Sequence, residues 1–196
     1  TKESQVKKKL NNIFKKNQPD ILINAASLIP KIKPFKFSNY NSKEWRKSLE
    51  VDLIGSFYVT KKCCEFFEKK NFGLIINFSS IYGIFGADQS IYGKKTKYVG
   101  YKKLEYSVSK AGVIGFTKSL SSFYKNTGIK VFCFILGGVE VNIKNKKFSK
   151  LYFQKTVETK FITTEQISKY IDFCISNPSI ASGSCITLNG GADTIL

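Results

Sequence analysis

The chain has 196 residues, 42% hydrophobic and 14% aromatic, which suits one domain with a real apolar core. Its net charge is +18, but the lysines are scattered through every segment, so a solvated basic surface is expected rather than a nucleic-acid face, and an anionic small ligand would feel the field. There is no histidine, and none of the five cysteines makes a C-x-x-C pair, which argues against zinc and against Ser-His or Cys-His catalysis.

Cys63, Cys64, Cys133, Cys174 and Cys185 fall mostly in apolar runs, as expected of reduced core thiols in a cytoplasmic protein. No stretch is apolar for long enough to span a bilayer, and the amino end does not read as a secretory signal. Methionine is absent, and the chain opens inside a helix-like segment, so it reads as part of a longer protein.

Residues 3–16 form an amphipathic helix pattern with Val6, Leu10, Ile13 and Phe14 on one stripe, ended by Pro19. DILINAAS follows as a short buried strand. After a loop with Pro30 and Pro34, Asn41 and Glu44 resemble a capping box. They open a helix predicted over 42–70, with Trp45, Leu49, Leu53, Phe57 and Phe66 on its apolar side. Gly73 leads into the strand LIINFSS. Residues 81–103 are polar, aromatic and glycine-dotted, and read as a long functional loop. A helix over 103–126 is stopped by Gly128, and KVFCFI is the next buried strand. GGVEVNIKNKK reads as loop, Thr163 and Gln166 match a capping box for a helix to about Ser176, and SCITLNGG is the last strand and turn.

Alternating helices and strands predict an α/β fold, with a doubly wound parallel sheet covered on both faces. Ligands in such sheets sit beyond the carboxyl ends of the strands. Asn24–Ser27, Ser79 and Ser80, and Gly137–Val139 all fall at those ends. In the helix 103–126, Tyr106 and Lys110 are four apart and share a face. A lysine beside a phenol favours the phenolate, so Lys110 is expected to lower the Tyr106 pKa. Such a tyrosine can give or take a proton at a carbonyl or carbinol.

Six stretches, in order, resemble the short-chain dehydrogenase/reductase family: INAAS, EWRKSLEVDLIGSFYVTK, GLIINFSSIYG, YSVSKAGVIGFTKSL, LGGV and GSCITLNGG. The resemblance covers essentially the whole chain, taken as a single partial Rossmann-like domain over 1–196 that lacks the amino-terminal cofactor segment. It implies an oxidoreductase that uses NAD or NADP to interconvert a carbonyl and an alcohol on a small-molecule substrate. By the same resemblance Tyr106 is the general acid/base, Ser80 holds the substrate oxygen, and Lys110 tunes Tyr106 and bonds the nicotinamide ribose. Asn24, Ala25 and Ala26 then lie near the adenosine half, Gly137 and Gly138 in the turn beside the nicotinamide, and Val139 at the carboxamide. No metal is implied. The helices over 42–70 and 103–126 would build a homodimer or homotetramer, with Gly112 and Gly115 allowing close approach or packing on the sheet.

The chain departs from the family pattern in several places. Asp52 stands where the family usually has asparagine; the resemblance implies that it either serves in the catalytic set through its backbone carbonyl, which holds a relay water, or turns its added carboxylate to Lys110 and weakens the tuning of Tyr106. Leu136 replaces the usual proline, and Ala25 and Ser27 replace Asn and Gly. The long 81–103 loop resembles that of flagellin-modification and surface-polysaccharide members, which suggests a nucleotide-linked sugar. Residues 144–160 are expected to help cover the substrate. No G-x-x-x-G-x-G occurs, so INAAS is expected at an exposed sheet edge and the isolated chain is expected to bind dinucleotide poorly. The alternative is a catalytically inactive remnant that serves as a binding or oligomerising subunit.

Overall fold

A computed structural model describes residues 2–28, 36–92, 101–142, 145–177 and 179–194. Its elements run α1 (Glu3–Phe14), β1 (Ile21–Asn24), α2 (Ser42–Leu49), α3 (Gly55–Lys70), β2 (Gly73–Ser80), α4 (Leu104–Phe123), β3 (Ile129–Leu136), α5 (Lys146–Phe153), α6 (Thr164–Ser176) and β4 (Cys185–Leu188). The four strands form one parallel sheet in the order β1-β2-β3-β4. β2 and β3 are continuous apolar runs because both of their faces are covered. One face packs Ile75, Ile129 and Val131 against Cys63, Cys64 and Phe67 of α3 and Tyr124 after α4. The other packs Ile76, Phe132 and Phe134 against Ile167 and Cys174 of α6. A third, aromatic cluster of Tyr82, Tyr92, Phe148 and Tyr152 sits beyond the carboxyl ends of the strands. All five cysteines are free thiols.

The helix predicted over 42–70 is interrupted. Residues Glu50–Ile54 form a π-helical turn between α2 and α3. Its extra residue rotates everything after it. The buried face of α3 is therefore Thr60, Cys63, Cys64 and Phe67, while Phe57 is 42% exposed. On α1, likewise, Ile13 is exposed, whereas Phe14 packs edge-on against Phe66 with ring centroids 5.2 Å apart.

The caps explain most boundaries. Asn41 accepts from the backbone of Lys43 and Glu44, but Glu44 pairs with Lys103 (3.2 Å), so the second half of the expected box is diverted. Thr163 and Gln166 form the full reciprocal box. Gly128 is not the helix stop: the left-handed residue is Asn126, at φ 62°. Gly128 is needed for another reason, since a Cβ there would lie 1.9 Å from the Asn71 carbonyl oxygen.

Two stretches read as loop carry structure. Residues Ile81–Gly83 and Gln89–Tyr92 are 3-10 turns, and α5 follows Asn145, which caps Lys147 and Phe148. Residues 29–35 and 93–100, with Pro30, Pro34 and part of the expected long loop, lie outside the described residues.

β1 is a sheet edge as expected, with Ile21 and Ile23 37% and 45% exposed.

Candidate active site

Four elements supply the rim residues: the ends of β1, β2 and β3, and the first half of α4. Behind the rim, a chain of side-chain hydrogen bonds ties them together. Asn24 Nδ2 donates to Thr60 Oγ1 (3.0 Å) and Asn77 Oδ1 (2.8 Å), and Asn77 Nδ2 donates to Thr117 Oγ1 (2.9 Å). Asn24 thus bridges β1, β2 and α3 with an amide aimed into the fold. Ala25 and Ala26 follow it into an exposed segment.

Asp52 is 1% exposed and serves as a hub. Its carboxylate accepts from Ser27 Oγ (3.1 Å), the Leu28 amide (2.6 Å) and Ser109 Oγ (3.0 Å). Its backbone carbonyl accepts from Ser56 Oγ (2.9 Å). Asp52 therefore locks the segment after β1 to α4 and makes no ion pair with Lys110 among the described residues, although its charge is felt there. The π-helical turn places it; periodicity alone gave no sign of that turn.

Ser80, Tyr106 and Lys110 come together at the tip of β2. The Ser80 hydroxyl accepts from the Tyr82 amide (3.3 Å) and stands near enough to the Tyr106 phenol to act on its titration. Lys110 Nζ donates to the Phe78 carbonyl (3.1 Å) and lies 5.7 Å from the centre of the Tyr106 ring. Burial pushes the Tyr106 phenol above its ordinary value; the nearby Ser80 hydroxyl pulls it back, and the charge of Asp52 adds to the rise. The expectation that Lys110 lowers Tyr106 is therefore corrected. Burial wins, and Lys110 is itself pushed down by burial, partly offset by Asp52 and Cys133.

Ser79, the other serine of the pair, points the opposite way and donates to the Lys110 carbonyl (2.8 Å). Gly83 lets the chain return close to α4: a Cβ there would sit 2.7 Å from the Lys110 carbonyl carbon and 2.9 Å from the Ala111 nitrogen. Both residues hold Lys110 from behind. Their signal was the glycine and the small side chain beside the strand end, which spacing alone does not single out.

Gly137 and Gly138 are required by packing. A Cβ on Gly138 would lie 2.4 Å from the Phe161 ring, and one on Gly137 would lie 2.8 Å from Asn189 Cα. The Gly138 amide donates to Tyr152 Oη (2.7 Å). Val139 forms an isolated parallel bridge with Ile162. The two bonds of that bridge run from Ile162 N to Gly138 O and from Glu140 N to Ile162 O, so they use neither the N–H nor the C=O of Val139.

Concavity alone does not locate this cluster. A hollow of about 530 Å³ lies beside β4, between Phe161, Tyr170 and Asn189, and none of Ser80, Tyr106 or Lys110 lines it. No described helix is long and apolar enough to cross a membrane.

The sequence pattern of the short chain dehydrogenase family matches residues 1–151. The 3-oxoacyl-acyl-carrier-protein reductase FabG of Buchnera aphidicola subsp. Schizaphis graminum is 31% identical over 182 residues, covering 90% of this chain and 68% of that protein. FabG of Aquifex aeolicus is 28% identical over 176 residues, covering 88% of this chain and 64% of that protein. This chain thus spans about two thirds of the length of these relatives. The crystal structure of a short chain dehydrogenase from Leptospira borgpetersenii with bound NAD+ superposes with a TM-score of 0.84 at 28% identity, covering 97% of this chain and 72% of that one. The family match spans β1, β2, α4 and β3, the elements that bring Ser80, Tyr106 and Lys110 together, and this chain belongs to the short-chain dehydrogenase family.

Proposed function

We propose that this chain carries the reacting centre of an NAD(P)-dependent oxidoreductase that interconverts a carbonyl and an alcohol. The observation that supports this most is that Ser80, Tyr106 and Lys110 stand together at the tip of a parallel strand, with Ser80 and Lys110 buried and Tyr106 half-buried. The backbone groups of Val139 left over by its bridge fit a carboxamide, and Lys110 fits a ribose hydroxyl. When bound, the nicotinamide supplies or accepts the hydride. The chain's own residues handle the proton. A phenol is protonated at neutral pH, and burial raises rather than lowers its pKa here, which suits Tyr106 to give a proton to a carbonyl oxygen during reduction. Ser80 holds that oxygen and shares the developing charge, and the Lys110 ammonium lies close enough to stabilise the phenolate left behind. Asp52, Asn24 and Asn77 position these groups and do not touch the reacting atoms.

The relatives reported above are 3-oxoacyl-acyl-carrier-protein reductases by name, which supports reading the substrate as a carbonyl or alcohol compound, without a sugar identity. We also read the half-exposed Ile54, Phe57 and Val108, on neighbouring helices, as the face of a homo-oligomer. Light scattering that finds a monomer at micromolar concentration would remove that reading.

The test is turnover of the intact protein with NADH or NADPH and a 3-oxoacyl thioester or simple ketone. Tyr106→Phe is expected to lower kcat by roughly 10²–10⁴-fold with nucleotide affinity retained. Turnover that survives the change overturns the mechanism. A folded, oligomeric protein with no turnover and no nucleotide affinity favours the remnant instead.

A further inference from the structure

Lys102 lies two residues before α4, and neither the family resemblance nor the mechanism above uses it. Its backbone is clamped at both ends by one side chain: its amide donates to Gln89 Oε1 (2.8 Å), and its carbonyl accepts from Gln89 Nε2 (3.2 Å). That clamp sets the ammonium over two rings. Lys102 Nζ lies 4.0 Å from the centre of the Tyr106 ring and 5.6 Å from that of Tyr82. Lys102 is therefore nearer the reacting phenol ring than Lys110 is, at 5.7 Å.

The carboxylates around it are engaged elsewhere. Glu44 pairs with Lys103, Asp88 with Lys155, Glu105 accepts from Tyr40, and Asp52 is held by Ser27, Leu28 and Ser109. Every Asp and Glu of the sequence falls among the described residues, and none of them forms an ion pair with Lys102. Contact with an aromatic face returns less than withdrawing an ammonium from water costs. Burial and the like charge of Lys110 accordingly hold the Lys102 ammonium down, at about 8. The chain keeps an under-compensated positive charge against the face of its reacting tyrosine.

We infer that Lys102 is a substrate-anion subsite: the carbonyl compound turned over here carries a carboxylate or phosphoryl group, which the Lys102 ammonium receives above Tyr106. This rests on the reading of Ser80, Tyr106 and Lys110 as the reacting centre. It extends that reading to substrate class, since an uncharged ketone would leave the ammonium unmatched. The charge is presented from a clamped backbone rather than from a free surface segment, which narrows where the ammonium can stand before the substrate arrives.

The experiment is a binding measurement that needs no turnover. The intact protein is labelled with ¹³Cε-lysine, the Lys102 signal is assigned by its loss in Lys102→Met, and sodium 2-oxobutanoate, glycerone phosphate and uncharged butanone are titrated in turn. At least one of the two anions is expected to shift the Lys102 signal saturably, and which one does distinguishes carboxylate from phosphoryl. Butanone is expected to leave it in place. By calorimetry, Lys102→Met should weaken that anion roughly tenfold or more, and Lys102→Arg should retain most of the affinity. Lys102→Met keeps the apolar stem on both rings, and a urea midpoint no lower than that of wild type checks its fold. Equal affinity in Lys102→Met, a shift matched by sodium chloride of the same ionic strength, or no saturable shift with either anion overturns the subsite. The reacting-centre reading fails separately: anion binding through Lys102 combined with full turnover in Tyr106→Phe would sink the mechanism and leave the subsite standing.

Discussion

On the sheet side of Tyr106, polar groups are tied to one another. Asn24, Asn77 and Thr117 form one run of hydrogen bonds, and Asp52 gathers Ser27, Leu28 and Ser109. On the opposite side, the wall is aromatic. Tyr82 and Tyr92 share a hydroxyl–hydroxyl bond (2.7 Å), Phe148 stands 5.4 Å from Tyr92, and Lys102 rests on ring faces. The first wall has its charge spoken for; the second keeps a cation without a carboxylate. This difference separates holding from receiving. Hydrogen bonds with fixed partners set where Ser80, Tyr106 and Lys110 stand, while an aromatic wall with spare charge can adapt to a guest.

The contrast can be broken from the sheet side first. Asp52→Leu leaves the buried Ser109 hydroxyl, together with the exposed Ser27 hydroxyl and the half-buried Leu28 amide, without their acceptor and should cost about 3 kcal/mol in urea denaturation. Asp52→Asn keeps an acceptor and should lose much less; equal losses would show that the hub is not a hydrogen-bond device. Gly83→Ala comes next. It drives a methyl into the Lys110–Ala111 backbone and should cost about 1–3 kcal/mol, with the fall in kcat exceeding that seen for a stability-matched change elsewhere.

On the aromatic side, Tyr92→Phe removes one hydroxyl bond and should cost about 1 kcal/mol. The last effect is electrostatic and is read from its pH dependence. The folded state holds Lys102 at about 8, below its ordinary 10.5. The unfolded chain therefore binds more protons between those two values, so the penalty is complete below pH 8 and is relieved as pH rises toward 10.5. The urea midpoint of wild type should rise relative to Lys102→Met across that window. A flat difference would mean that Lys102 titrates normally.

Much of this was legible in the sequence, for identifiable reasons. Buried parallel strands leave continuous apolar runs, so β2 and β3 stood out, and the four-residue spacing of Tyr106 and Lys110 fixed their common face. Thr163 and Gln166 sit close enough in sequence for their capping box to be read directly. The π-helical turn was hidden because a single extra residue leaves composition unchanged while rotating Phe57 outward. α5 was hidden because eight residues behind Asn145 give too little periodicity. The direction of the Tyr106 shift was misjudged because a neighbouring charge can be seen in a sequence and burial cannot. Lys102 was missed because its clamp comes from Gln89, thirteen residues earlier, across a turn that only the fold closes.

The central claim is that Ser80 and Tyr106 act as one proton-handling pair. A double-mutant cycle on kcat with Ser80→Ala, Tyr106→Phe and the double variant tests it most directly. If the two hydroxyls work together, the double variant loses little more than Tyr106→Phe alone. Losses that simply multiply would show two independent groups and contradict the account.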